Sequence, residues 1–298
     1  MNQTLKAYID LTRAHFMFAW PLIFCSGLFL GFQNYGGFSW MIVIKAILIG
    51  LFGFEGGMVL NDYIDRDIDK NDVEYDKLTY YWRPYKSRPL PFGDITSKNA
   101  FRLFIFFFII TITLILTLPY PHSLYVLIIY LYCYFMEYFY QVKKRNQKFP
   151  FAQVLGRTDF AIFPIAGYLC VGAPDKTALL FFLFFYPLAL SHLGLNDLID
   201  VKNDIVRKMN TITVLYGIKG TVKWIIVFNL IHFVTAVLFL LTLSKITFYG
   251  FLIPFILLFI ATYLLIKDQS PKTGLKVLPF YHLSMALYSI SIIIGSIL

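Results

Sequence analysis

Apolar residues in this chain run in long unbroken blocks, not in the alternation of a half-buried strand or the single stripe of a surface helix. Blocks long enough to cross about 30 Å of hydrocarbon predict nine helices, near residues 14–33, 40–60, 101–118, 122–140, 155–172, 177–196, 222–243, 247–266 and 277–297. Polar residues collect between these blocks. The pattern predicts an all-α, polytopic membrane protein with nine transmembrane helices, read as one domain over residues 1–298. Nothing at the N-terminus reads as a cleaved signal, because Asp10 and Arg13 interrupt the approach to the first block.

Composition supports this class, at 58% hydrophobic, 19% aromatic and 14% charged residues with a mean hydropathy of +0.68. The net charge of +9 would elsewhere suggest nucleic acid, but here it follows topology. Nearly all Lys and Arg fall near the N-terminus or in the segments 61–102, 141–157, 197–223 and 267–276, which nine crossings put on one side. The positive-inside rule makes that side cytoplasmic, with the N-terminus inside and Leu298 outside. Membrane lipid is therefore an expected partner and nucleic acid is not. Cys25, Cys133 and Cys170 all lie in predicted spans and read as small packing residues.

Two polar stretches break the apolar background in the same way. Asn61-Asp62-Tyr63-Ile64-Asp65-Arg66-Asp67-Ile68-Asp69 ends the second block, and Asn196-Asp197-Leu198-Ile199-Asp200-Val201-Lys202-Asn203-Asp204 ends the sixth. Both carry Asn, Asp, Ile, Asp and Asp at the same five places, and both are predicted to end on one face of the membrane. At about 100° per residue, Asn61, Asp65 and Asp69 drift slowly along one helix face, as do Asn196, Asp200 and Asp204. Stacked carboxylates repel unless a cation lies between them. Spaced carboxylates beside amide oxygens suit Mg²⁺, which takes oxygen ligands and shares them with substrate phosphate. The metal-facing candidates are thus Asn61, Asp62, Asp65, Asp69, Asn196, Asp197, Asp200 and Asp204. The repeated motif also suggests two related halves, 1–140 and 141–298.

A diphosphate site needs cationic donors as well. Arg88 lies in the proline-stiffened segment Arg83 to Pro91, Lys144 lies one turn after Tyr140, and Lys202 and Lys208 lie within or just after the second motif. Lys143, Arg145 and Lys148 read instead as anchors to lipid headgroups. Arg13 either anchors the first span or binds an acidic acceptor. Glu55, Glu137, Asp159 and His192 lie at membrane depth and read as structural partners: Glu55 with Lys45 or another helix, Asp159 with Arg157, and His192 with a phosphate or a carbonyl. Tyr80-Tyr81-Trp82 either shapes an acceptor mouth or lies at the interface.

These features together resemble the UbiA superfamily of intramembrane prenyltransferases. The resemblance rests on the two Asp-rich motifs, on Arg88-Pro89-Leu90-Pro91-Phe92-Gly93, on the Tyr140 and Lys144 pair, and on the tail from Thr211 to Gly217. It implies a bundle around a central cavity in which two Mg²⁺ ions hold a prenyl diphosphate between the motifs. It also implies that Asn61, Asp65, Asp69, Asp200 and Asp204 face the metals, with Asp62 and Asp197 supporting them. Arg88 and Lys144 would hold the diphosphate, and Asp65, Asp200, Tyr140 and Lys144 are the expected catalytic set. The expected reaction moves a prenyl group to a lipophilic acceptor, an aromatic quinone precursor. Ether-lipid synthesis, terpene cyclisation within the same fold, and cation-coupled transport are the alternatives. Lipid-forming members carry Arg-Glu and Lys-x-x-Glu-Asp ahead of the second motif, where this chain has Leu193-Gly194-Leu195-Asn196-Asp197.

Overall fold

The computed structural model describes residues 2–298, and the described residues form helices and loops only. The helices are α1 (Gln3–Leu11), α2 (Ala19–Tyr35), α3 (Trp40–Asp65), α4 (Leu78–Trp82), α5 (Ser97–Leu116), α6 (His122–Lys143), α7 (Phe151–Gly156), α8 (Thr158–Tyr168), α9 (Lys176–Ile199), α10 (Val201–Val206), α11 (Ile212–Leu240), α12 (Lys245–Lys267) and α13 (Pro271–Ile297). Among the described residues, eight helices are long and apolar enough to cross a membrane. The fifth predicted span, 155–172, is instead a broken pair, α7 and α8, with Arg157 at the joint. The other spans match the apolar blocks, except that α11 and α13 begin earlier than hydropathy alone suggests. In α11 the extra turns precede Gly217, whose φ of 69° kinks the helix in a region that favours glycine.

Helices in lipid gain little from burying apolar surface against one another, so close backbone approach and interlocking shape hold the bundle. At the crossing of α2 and α8, a Cβ on Gly27 would lie 1.8 Å from the Pro164 carbonyl oxygen, and one on Gly167 would lie 1.9 Å from that of Phe24. Only glycine permits that contact. On the other side of the molecule, Phe181, Phe184, Phe239, Phe251 and Tyr288 interlock between α9, α11, α12 and α13, with Phe181 and Phe239 stacked at 4.9 Å. His232 sits among them, bonding the Phe184 carbonyl at 2.9 Å and the Tyr288 hydroxyl at 3.0 Å. Large apolar side chains such as Phe106, Ile109, Ile256 and Phe259 face outward, as a lipid-contacting surface requires.

The two acidic motifs begin on the last turns of α3 and α9, yet neither continues as one regular helix. Asp65 ends α3 and Asp69 begins a short 3-10 turn; Asp200 joins α9 to α10, which carries Asp204. These breaks place Asp65 and Asp200 beside the partial negative charge of helix C-termini, an unfavourable position that the surrounding cations offset. The unbroken four-residue stripe expected from the sequence is therefore replaced by a turn in each motif.

Candidate active site

Three connections bring the ends of α3 and α9 together. Arg207, just after α10, reaches Asp69 at 3.3 Å and Asp200 at 3.3 Å, and pairs with Asp72 through two nitrogens, so one guanidinium joins both motifs. Asn203 accepts from the backbone N–H groups of Val73 and Glu74 at 3.0 and 2.9 Å, and donates to the Asp200 carboxylate at 2.8 Å. Lys202 spans the same gap to Glu74 at 2.7 Å, but at the surface, where its side chain is 65% exposed. Planar, forked guanidinium suits this shared role better than an ammonium would.

Arg88 is held in place by the segment before it. The Asp10 carboxylate on α1 accepts from the Tyr85 and Ser87 N–H groups at 2.7 and 2.8 Å, fixing the turn that delivers Arg88 to Asp69 at 2.8 Å and Asp72 at 3.1 Å. On the opposite wall, Lys144 donates to Asp65 at 2.7 Å and to Gln141, Gln141 donates to Glu137 at 2.5 Å, and Asn61 donates to Glu137 at 2.8 Å. Asn61 and Asp65 are thereby stitched to α6 through a closed circuit. The Asn61 amide nitrogen is committed to Glu137, which leaves its carbonyl oxygen for a cation. Tyr140 lies buried beneath this circuit, its ring centre 4.9 Å from the Lys144 ammonium.

Several expected roles change. Arg13 binds Asp62 at 2.8 Å through one nitrogen while its other terminal nitrogen is buried without a partner, and Arg83 binds the other Asp62 oxygen at 2.9 Å, so Asp62 organises two cations on the α1 side. Asp197 accepts from the Ile212 N–H at 2.9 Å and caps α11. Arg145, read as a headgroup anchor, pairs with Asp65 at 2.9 Å. Lys208 is exposed in a left-handed turn with φ of 57°, away from the paired acids. Glu55 accepts from the Trp20 indole at 2.9 Å, while Lys45 donates to the Thr117 carbonyl at 2.8 Å, so those two do not pair. His192 meets His282 at 2.9 Å, and His282 meets the Tyr81 hydroxyl at 2.6 Å, neither of the partners expected for His192.

Sequence reasoning missed Arg207 and Asp72, and placed Arg83 in a phosphate-facing segment without its partner Asp62. Arg207 and Asp72 each lie three residues past a motif, which is the only local signal they carried; their pairing spans 135 positions and is a tertiary fact.

Charge in this region is close to balanced. Burial alone would raise the Asp69 carboxyl, but Arg88 and Arg207 outweigh it and hold the group below the usual carboxylate range. Burial prevails at Asp72 and pushes it upward despite Arg207. Asp204 is pushed well up, first by burial and then by the neighbouring Asp200 and Asp197 charges, and its one neutral partner is the Thr211 hydroxyl at 2.8 Å. Burial lowers Arg83 to about 10.

The donor set fits Mg²⁺ that arrives with phosphate. Among the described residues, no three His, Cys, Asp or Glu side chains converge as a ready-made metal cage, and Mg²⁺ commonly uses one or two carboxylates with phosphate and water. The buried Asn196 carbonyl oxygen has no hydrogen-bond partner, an acceptor left over beside Asp200 on the same helix end. Asp204 is likewise a crowded acid with no cation at hydrogen-bond distance.

Known proteins share this architecture. A solved structure of a UbiA homologue from Aeropyrum pernix K1 superposes with a TM-score of 0.75 at 15% identity, covering 94% of this chain and 98% of that one. A UbiA homologue from Archaeoglobus fulgidus bound to DMAPP and Mg²⁺ gives 0.69 at 18% identity, covering 96% and 98%. A digeranylgeranylglyceryl phosphate synthase gives 0.69 at 21% identity, covering 99% of both chains. In sequence, 110 residues are 34% identical to a 4-hydroxybenzoate octaprenyltransferase of Marinomonas sp. (strain MWYL1), a match over 35% of this chain and 33% of that protein's length. The UbiA prenyltransferase family model matches residues 19–289, and the chain belongs to that family.

Proposed function

We propose that the chain is a Mg²⁺-dependent intramembrane prenyltransferase that moves a prenyl group from a prenyl diphosphate to a lipophilic aromatic acceptor of the quinone-precursor class. The observation that carries this reading is that the acids of both motifs are joined by the very cations a diphosphate needs, Arg207 bridging Asp69 to Asp200 and Lys144 holding Asp65. Substrate binding exchanges these partners. Arg88, Lys144, Arg145 and Arg207 turn to phosphate oxygens, and the released carboxylates turn to metal.

Asn61, Asp65, Asp69, Asn196, Asp200 and Asp204 would hold two Mg²⁺ ions. Bound Mg²⁺ neutralises the charge that grows on the departing diphosphate and so lowers the barrier to the allylic cation. Asp62 serves the site through Arg13 and Arg83, Asp197 through the start of α11, and Lys202 and Lys208 by drawing the anion to the rim. Tyr140 faces Lys144 with its ring and keeps that ammonium directed at Asp65. The names of the similar proteins support the donor and acceptor classes: two solved structures of a UbiA homologue from Archaeoglobus fulgidus hold DMAPP or GPP with Mg²⁺, and a partial sequence relative is a 4-hydroxybenzoate octaprenyltransferase. The bias of Lys and Arg toward one side supports cytoplasmic motifs and an outside C-terminus.

The test is incubation of the purified protein in detergent with Mg²⁺, radiolabelled geranylgeranyl diphosphate and membrane-extract acceptors, with and without EDTA. A labelled adduct that disappears with EDTA is expected. A cyclised hydrocarbon as sole product, or no release of diphosphate, refutes the reading.

A further inference from the structure

Below Asn61, between α3, α6 and α8, lies an open-mouthed cleft lined by residues of all three helices. Its wall carries five aromatic rings, Phe54, Tyr130, Tyr134, Phe160 and Phe163. Its polar lining is confined to Asn61, Glu137, Arg157 and Asp159, apart from the tyrosine hydroxyls and one thiol. Asn61 and Glu137 also belong to the circuit that holds Asp65, so the cleft is continuous with the first motif.

Arg157 stands out at the α7–α8 joint. Its guanidinium makes no hydrogen bond to another described side chain or backbone group; the Asp159 carboxylate, at 3.8 Å, is an ion pair beyond hydrogen-bond distance. Its carbon lies 5.1 Å from the centre of the Tyr140 ring, the same ring that carries Lys144 at 4.9 Å. A cation with unspent donors at membrane depth, one tyrosine ring from the diphosphate-holding lysine, is placed to meet a ligand oxygen. A prenyl chain offers none, and threading it past this group would cover the free guanidinium donors with hydrocarbon.

The charges around Arg157 limit what that oxygen belongs to. The cleft is lined by one cation, Arg157, and two carboxylates, Glu137 and Asp159, the latter 3.8 Å from the guanidinium, so no positive charge is left over for an anion. An aromatic carboxylate would add a further like charge in a low-dielectric cleft. A phenolic hydroxyl can accept from Arg157 and donate to Glu137 or Asp159 while its ring packs against the aromatic wall. We infer that this cleft is the acceptor site and that Arg157, Asp159 and Glu137 select an uncharged hydroxyarene over an aromatic carboxylate. The inference rests on the transferase reading and adds the charge class of the acceptor.

The test uses competition, because the natural acceptor is unidentified. Mg²⁺-dependent prenyl transfer to membrane-extract acceptor is measured with methyl 4-hydroxybenzoate or 4-hydroxybenzoate as competitor, a pair alike in ring and hydroxyl and different in charge. The neutral ester should inhibit at least tenfold more strongly than the acid. Arg157→Gln should weaken the ester at least tenfold. Asp159→Asn, a change of equal size, should strengthen the acid at least threefold and leave the ester within threefold. A Cβ on Gly57 meets nothing within 4 Å, so Gly57→Phe fills the cleft from a position with room and should abolish transfer to the extract acceptor while prenyl diphosphate binding remains. Stronger inhibition by the acid in the unmodified protein, failure of both compounds to compete, unchanged inhibition in the folded Arg157→Gln and Asp159→Asn variants, or undiminished transfer in folded Gly57→Phe overturns the inference. Absence of labelled adduct before any competitor is added overturns the transferase reading instead.

Discussion

At the α2–α8 crossing, Gly27 and Gly167 bring two backbones into direct contact, whereas at the motif end Asp69, Asp72 and Asp200 meet only through the side chains of Arg88 and Arg207. The first contact has one arrangement, because a carbonyl oxygen already occupies the place where any Cβ would go. The second is held by ion pairs, and in the proposed reaction each carboxylate and each guanidinium would trade its partner for a metal or a phosphate of opposite sign. A membrane enzyme of this kind needs both: a fixed frame in lipid, and a polar end whose internal ion pairs keep buried charges neutral until substrate replaces them.

Four changes test this contrast. The largest effect is expected from Gly167→Leu, which forces α2 and α8 apart; loss of the monodisperse folded protein on size exclusion is the expected outcome, consistent with a cost of more than about 4 kcal/mol. Normal elution and thermal stability would show that the crossing is not fixed. Asp65→Ala or Asp200→Ala should instead leave a folded protein and slow Mg²⁺-dependent diphosphate release by about a thousandfold or more, roughly 4 kcal/mol of transition-state stabilisation. Near-normal rates in both variants would remove the two-metal site.

Arg207→Ala leaves Asp69, Asp72 and Asp200 without their shared partner, a loss expected to cost about 3 kcal/mol in EDTA. Added Mg²⁺ and diphosphate should restore part of the melting temperature, because they supply the missing positive charge. Equal destabilisation with and without Mg²⁺ would mean that the motif end is as fixed as the glycine crossing.

The smallest effect is expected at Asp175, on the opposite face from the motifs, where the carboxylate caps α9 through the Ala178 N–H and accepts from the Tyr35 and Tyr168 hydroxyls, each at 2.7 Å. Burial is the largest single influence and raises this carboxyl, but the Ala178 bond, the two hydroxyls and the Thr177 N–H together hold it below its ordinary value. Its contribution is therefore present above the unfolded-state pKa and lost as pH falls through the lower folded-state value. Asp175→Asn should cost about 0.5–1 kcal/mol at neutral pH, reduced by solvent screening, and should flatten the acid limb of a melting-temperature profile. An unchanged acid limb would exclude a role for this cap.

Much of the architecture was legible along the chain. Hydrocarbon thickness sets a minimum length for an apolar block, so eight of the nine predicted helices appear close to where hydropathy puts them. The broken fifth span was not legible, because a helix joint at Gly156 and Arg157 leaves the apolar block uninterrupted apart from charges that also suit an ordinary span end. The site divides in the same way. Asn61, Asp65, Asp69, Asn196, Asp200 and Asp204 could be named from spacing, since acids repeated at helical intervals in an apolar chain demand a cation.

The sequence by itself thus determined the helical membrane class, the two acidic motifs and the kinds of cation that serve them, all of which follow from local composition and helical geometry. Tertiary structure alone decided which cation meets which acid: that Arg13 and Arg83 share Asp62, that Arg145 joins Lys144 on Asp65, and that Arg207 ties Asp72 to Asp200. It also left Arg157 facing a cleft with its donors unspent. The physical reason is distance along the chain. Coulomb attraction between a lysine or arginine and an acid has no sequence address, so partners 20 to more than 130 residues apart are chosen only when packed helices fix which charges are buried together.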